Sequence, residues 1–255
     1  MDIDLNADLG EGFGPWPMGQ DEALLEIVSS ANIACGFHAG DPLIMQRTVQ
    51  MARERGIDIG AHVGFPDRQG FGRRQMQIDV AELAAMVVYQ LGALAGIAQA
   101  AGCRVTHMSF HGALGNMAAA DAALAEPLLK AVAAFDPKLI VSSSSSKAIE
   151  DASARLGLTV ASTFLADRAY DDQGLLVPRK LPDSVIKEEK AVLARVRQFL
   201  REGTVTTYSG GTLRMKARSI LLHGDTPGAV ELARTLRNEI EASGGRIVPI
   251  SRQLA

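Results

Sequence analysis

The segment MDIDLNADLGEGFG, residues 1–14, sets the reading of the whole chain. Residues 3–7 alternate apolar and polar side chains, the period of a strand. The run then breaks into Asp8-Leu9-Gly10-Glu11-Gly12. Glycine permits a sharp turn or a close approach of backbone to ligand. Two carboxylates three positions apart among glycines admit two readings. One is a tight turn with solvated acids; the other is a site that binds a metal, moves a proton or holds an ammonium group. The choice depends on whether similar strand endings recur downstream.

They recur throughout. A helix is expected over about residues 20–28, where Leu24, Leu25 and Val28 share a face. A second apolar run, 31–35, opens into Gly36-Phe37-His38-Ala39-Gly40-Asp41-Pro42. Asp41 suits an N-cap and Pro42 the first turn of a helix that stops at Gly56. The third run, 57–61, ends at His62-Val63-Gly64 and enters an arginine-bearing loop over 65–77. An alanine-rich helix over 79–101 stops at Gly102. The fourth run, 104–110, ends at His111-Gly112, and a helix over 121–134 contains Pro127 as a kink or restart. The fifth, 138–141, passes into serines 142–146, and the next helix ends at Gly157. The sixth, 158–165, ends in Ala166-Asp167-Arg168-Ala169-Tyr170. A polar loop over 171–182 and a charged helix over 184–202 follow, then a short strand or irregular stretch over 203–213. The seventh run, 219–222, ends at His223-Gly224-Asp225 before a last helix over 227–242. Residues 246–250 form either an eighth strand or a closing tail.

Strand, loop and helix repeated seven or eight times predict right-handed crossovers and a parallel sheet. No linker divides residues 1–255, so one α/β domain is expected, a (β/α) barrel with a doubly wound open sheet as the alternative. Hydrophobic residues make up 47% and charged residues 22%, ordinary for a globular enzyme. The net charge of -3 offers no basic footprint for nucleic acid. No run approaches 18 consecutive apolar residues, so no membrane span is expected. The N-terminus shows no secretory signal pattern, and Cys35 and Cys103 form no disulfide framework, so a cytoplasmic setting is expected.

Of the five histidines, His38, His62, His111 and His223 fall at or just beyond apolar runs, near glycines. Asp8 and Asp167 close two further runs. In a parallel barrel all these ends lie on one face, so residues scattered over the chain converge on one pocket. His107 lies within a run and reads as a hydrogen-bonded interior histidine. Imidazoles and carboxylates together suit a divalent metal or metal-free acid–base chemistry. Neither HExxH nor paired CxxC decides between the two. Arg68, Arg73 and Arg74 either fork onto an anion or lie on a solvated loop. Asp167 and Arg168 pair with each other or cap a helix, and the serines either donate at a strand end or form a plain loop. The chain lacks GxGxxG, GxxxxGK[ST] and GxSxG, so Rossmann, P-loop and nucleophile-elbow readings have no motif.

Taken together these endings resemble the LamB/YcsF family, the A subunits of the bacterial ATP-dependent 5-oxoprolinase. The matching segments are DLNADLGEG (4–12), SANIACGFHAGD (30–41), IGAH (59–62), FPDR (65–68), FGR (71–73), ADR-x-Y (166–170), LVPR (176–179) and LHGD (222–225). The resemblance implies a distorted TIM-like barrel of about seven parallel strands, related to glycoside hydrolases and polysaccharide deacetylases. It implies opening of the 5-oxo-L-proline lactam to L-glutamate with ATP hydrolysis, alongside partner subunits B and C. In such an activity, catalysis is expected from Asp8, Glu11, His38, His62, His111 and Asp167, and substrate binding from Asn6, Asp41, Arg68, Arg73, Arg168 and His223. ATP is expected to be handled with the partners, and a divalent metal is left open.

The chain departs from the family pattern KPHG-x-L-Y-N, reading Ser109-Phe110-His111-Gly112-Ala113-Leu114-Gly115-Asn116. A neutral serine does not replace a lysine cation. Asp183 and Lys187 also stand where the family often has glycine and histidine. Two rival readings are a metal-dependent amidohydrolase or deacetylase acting on another lactam or sugar, and a non-catalytic binding subunit.

Overall fold

Strand β1 (Asp2–Leu9) is buried over almost its whole length yet keeps its alternation. Ile3, Leu5, Ala7 and Leu9 join the apolar core. Asp4, Asn6 and Asp8 alternate with them, are equally buried, and find hydrogen-bond partners on other strands. A barrel staff explains this pattern: one face packs on helices, the other on the barrel interior. The computed structural model describes residues 1–144, 146–226 and 228–254. Ser145 of the serine run and Pro227, the first residue of the expected last helix, lie outside the described residues.

The elements continue as α1 (Asp21–Leu25), β2 (Ser30–Ala34), α2 (Pro42–Glu54), β3 (Asp58–Val63), α3 (Val80–Ala100) and β4 (His107–Phe110). Then come α4 (Gly112–Ala120), α5 (Ala122–Phe135), β5 (Ile140–Ser143), α6 (Lys147–Leu156), β6 (Val160–Leu165) and α7 (Glu189–Glu202). The chain finishes with β7 (Thr204–Thr206), β8 (Thr212–Arg214), β9 (Ser219–Leu222), α8 (Ala229–Ala242), β10 (Arg246–Ile247) and α9 (Ile250–Gln253).

Strands β1, β2, β3, β4, β5, β6 and β9 pair in parallel in that order, and β9 returns to β1. The sheet is therefore a closed seven-stranded barrel surrounded by helices, and the open-sheet alternative is set aside. The uncertain stretch 203–213 becomes the antiparallel pair β7–β8. Of residues 246–250, open between an eighth strand and a closing tail, Arg246–Ile247 form a two-residue strand beside the start of β1 rather than a further staff.

Local chemistry sets the helix ends. The Asp41 carboxylate accepts from the Leu43 and Ile44 N–H groups, and Pro42 fills the first turn of α2. Asp79 caps α3 in the same way, and Ser146 caps α6. Helix α3 is 21 residues long with a mean hydropathy of 1.7, long and apolar enough by length and composition to cross a membrane. Alanine, valine, leucine and isoleucine carry that hydropathy, while Glu82, Gln90 and Gln99 keep it from being one uninterrupted apolar run. Its Leu83, Val87, Leu91, Leu94 and Ala98 are buried on the protein side. Its buried Gln90 accepts from the Gly64 N–H and donates to the Gly64 carbonyl, fixing the exit of β3 two residues after His62.

Candidate active site

The strand ends of one barrel face open into a cavity of about 610 Å³ whose lining includes Asp8, His62, Arg73, His111, Arg179 and His223. Register explains much of its floor. Asp8 lies beside Asn32, Asn32 beside Gly60, and Gly60 beside His107, one row across four strands. The Asn32 amide donates to Asp8 Oδ1 at 2.9 Å. Its Oδ1 therefore accepts, and His107 Nε2–H donates to it at 3.0 Å. His107 can cross β3 to reach Asn32 because Gly60 has no side chain. A Cβ there would sit 2.1 Å from His107 Nε2. The expected interior histidine is thus also the outer support of Asp8.

One row higher, His62 lies beside Ser109, and His62 Nδ1 is 2.6 Å from the Ser109 hydroxyl. His62 Nε2 faces Asp8 Oδ1 at 3.4 Å and His111 Nδ1 at 2.9 Å. His111 Nε2–H donates to the Phe71 carbonyl at 2.8 Å, which leaves Nδ1 as its bare nitrogen. The His38 ring stacks on His111 with centroids 3.8 Å apart, and its Nε2 lies 3.3 Å from Glu11 Oε1. Phe71 reaches these rings from a left-handed backbone conformation, φ 53°. That conformation is uncommon for a bulky residue and marks a segment held in place by its surroundings. The four groups Glu11, His38, His62 and His111 offer ligand atoms all within 4.8 Å of one another and could hold a divalent cation.

Across the cavity, Asp167 accepts from His223 Nδ1–H at 2.8 and 3.0 Å. His223 Nε2 meets Arg179 Nη2 at 3.1 Å. A carboxylate behind an imidazole orients the ring and stabilises its charged form. Arg73 donates to Asp225 at 2.8 Å and lies over the Phe71 ring.

Electrostatics separate the two halves. Burial pushes the Asp8 carboxyl up to about 6, against the pull of the His223 charge and the Asn32 amide. Burial, with Asp8 and Asp225 nearby, raises Glu11 well above the carboxylate range. Burial and neighbouring imidazoles drive His38 and His111 well down, and burial with the His223 and His107 charges brings His62 to about 3, so these rings are neutral. Burial also disfavours a charged His223, but Asp167 and Asp8 outweigh it and the ring is raised. Burial opposes ionisation of Asp167, yet His223, Arg179 and Arg168 hold its carboxyl below the ordinary range.

Other expected residues make contacts within the frame. Asn6 lies deeper in the barrel, donating to Asn32 Oδ1 at 3.3 Å. Asp41 caps α2 and also accepts from the Gly14 N–H. Arg68 donates to the Gly36 carbonyl, pinning the loop that carries His38, and stacks over Phe13. Arg74 pairs with Asp67. Arg168 neither pairs with Asp167 nor caps a helix; its guanidinium donates to the Ser184 and Val177 carbonyls, bracing the loop that presents Arg179. Its edge also reaches the cavity lining. In the serine run, the Ser142 and Thr163 hydroxyls are 2.8 Å apart beneath the cavity. The residues not singled out from sequence are Asn32, Arg179 and Asp225. Each sits inside a matched segment, and Asn32 carried a further signal as the polar residue of an otherwise apolar run.

Comparison with known proteins shows the family. The model of the LamB/YcsF family matches residues 3–255. A Ralstonia nicotianae protein, named as a 5-oxoprolinase A subunit, is 72% identical over 254 residues, 100% of this chain and 98% of that one. A Pseudomonas syringae pv. tomato protein of the same description is 68% identical, covering 100% and 99%. The crystal structure of a lactam utilization protein from Thermus thermophilus superposes with a TM-score of 0.90 at 38% identity, covering 97% of this chain and 99% of that one. With the family model matched from the third residue to the last, this chain belongs to the LamB/YcsF family.

Proposed function

We propose that this chain is the A subunit of a cytoplasmic, ATP-dependent 5-oxoprolinase, acting as one barrel unit over residues 1–255. It opens the lactam of 5-oxo-L-proline to L-glutamate together with B and C subunits. The observation that carries the reading is one cavity holding both Asp8 and the Asp167-backed His223, in a chain 72% identical to a protein of that name.

A five-membered lactam is a resonance-stabilised amide and resists attack by water. Transfer of a phosphoryl group from ATP to the amide oxygen makes the ring carbon a far better electrophile. One water then adds to that carbon and the ring C–N bond breaks, giving an acyl phosphate. A second water releases phosphate and leaves glutamate. Asp8 takes the proton of the attacking water, held in place by the Asn32 amide. His223, oriented by Asp167, gives a proton to the departing ring nitrogen from Nε2. Arg179 and Arg73 supply positive charge at the cavity wall for the substrate carboxylate. A carboxylate that draws Arg179 away from His223 frees Nε2 for this transfer. The absence of a Walker motif supports nucleotide handling shared with the partners.

The test is glutamate release from 5-oxo-L-proline and ATP by this chain alone, by the partners alone and by all three. Release only from the full mixture supports the proposal and shows that Ser109 is compatible with activity. No release from folded chain with active partners overturns it. Turnover without ATP overturns it in favour of a simple amidohydrolase.

A further inference from the structure

We infer that Glu11, His38, His62 and His111 form a binding site for one divalent transition-metal ion of the zinc class. The four donors come from the ends of β1, β2, β3 and β4, so they meet only because the barrel closes. Each residue is at most 5% exposed. A tetrahedral ion with bonds of roughly 2.0–2.1 Å needs donors about 3.3 Å apart. The separations are 2.9 Å between His62 Nε2 and His111 Nδ1, 3.3 Å between His38 Nε2 and Glu11 Oε1, and 3.7 Å between His111 Nδ1 and Glu11 Oε1.

The surrounding hydrogen bonds favour ligation. The Phe71 carbonyl accepts from His111 Nε2–H, turning the Nδ1 lone pair inward. The Ser109 hydroxyl either donates to His62 Nδ1 or accepts from it. In the accepting role it fixes the tautomer whose Nε2 is bare and faces His111. Such outer partners are the usual support of metal-bound histidine. Three imidazoles with one carboxylate select a borderline ion over magnesium or calcium, which prefer oxygen ligands. Bound there, the ion would supply Lewis acidity beside Asp8. The site adjoins the proposed activity, but its test reads metal rather than glutamate, so either can fail alone.

The test is calorimetric titration of metal-free, full-length chain with zinc chloride and, separately, magnesium chloride. Cobalt(II) absorption in the visible serves as a second readout. The inference expects one zinc per chain, no magnesium binding and an intense tetrahedral cobalt band. It expects His38→Ala and Glu11→Gln to bind zinc at least 100-fold more weakly. Ser109→Ala leaves all four donors in place and should weaken zinc about 10–100-fold, with Ser109→Thr restoring it. This pair carries the test if the ligand variants do not fold, folding being read from circular dichroism melts. Absence of stoichiometric zinc, or equal zinc affinity in Ser109→Ala and the wild type, overturns the inference.

Discussion

Gly60→Ala should unseat the interior support of Asp8. The added Cβ would stand 2.1 Å from Nε2, 2.4 Å from Cδ2 and 2.6 Å from Cε1 of His107. Ordinary contact begins near 3.4 Å, so the imidazole must retreat by more than an ångström. Its 3.0 Å bond to Asn32 then breaks inside the barrel. Leaving the buried His107 Nε2–H without its acceptor costs about 1–3 kcal/mol. Overpacking at a well-filled position adds about 1–3 kcal/mol. The expected loss is therefore about 2–6 kcal/mol, read by urea denaturation with linear extrapolation. Removing the obstructing ring gives the control. Gly60→Ala combined with His107→Ala should be less destabilised than the sum of the two single changes, by about 0.5–3 kcal/mol. A loss below about 1 kcal/mol in Gly60→Ala, or strict additivity in the pair, would refute the packing argument.

Two further changes probe opposite ends of the barrel. Asp4 is buried and accepts from the hydroxyls of Ser29, Ser30 and Ser219, and burial still pushes its carboxyl up to about 6. The folded state thus holds this proton more tightly than the unfolded chain, so its contribution to stability is full below about pH 4 and declines up to about pH 6. Stability of Asp4→Asn relative to wild type should rise by roughly 3 kcal/mol between pH 4 and pH 7, measured by urea melts at both pH values. Parallel pH profiles would dismiss the idea, because the other buried carboxylates cancel in the difference. Arg179→Ala, at an exposed cavity wall, should leave the melting temperature unchanged and raise KM for the substrate about 10–100-fold in the reconstituted assay, the value of a hydrogen bond to a charged group. An unchanged KM would place the substrate carboxylate elsewhere.

The strand ends are legible because each coincides with a change of composition. Asp8, His62, His111, Asp167 and His223 all stand where an apolar run stops, and topology alone brings them together. The supporting row Asp8–Asn32–Gly60–His107 is not legible, because it depends on register between strands far apart in sequence. Asn32 stands out only as a polar residue within an apolar run, and Gly60 looks ordinary, until β2 and β3 are laid side by side. Arg179 gives no strand-end signal because it lies 14 positions beyond the end of β6, on a loop whose path is set by Arg168 gripping two carbonyls. Arginine count alone also misleads: of Arg68, Arg73 and Arg74, only Arg73 lines the cavity, because Gly36 and Asp67 engage the other two. Helix α4 is hidden in the sequence since Gly112 and Gly115 weaken its local signal, while tertiary packing buries Ala113, Leu114 and Ala118. Residues 184–188 read as helix from their charge, but Ser184 and Ile186 bond back to the strand-end loop instead.

Lactam opening in the cavity at the strand ends is tested by glutamate formation with Asp8→Asn chain combined with B and C subunits, assembly being verified by co-elution. The amide keeps the shape and the Asn32 contact but cannot take a proton. kcat should fall about 10²–10⁴-fold with the complex intact. Undiminished turnover by the assembled variant would contradict it.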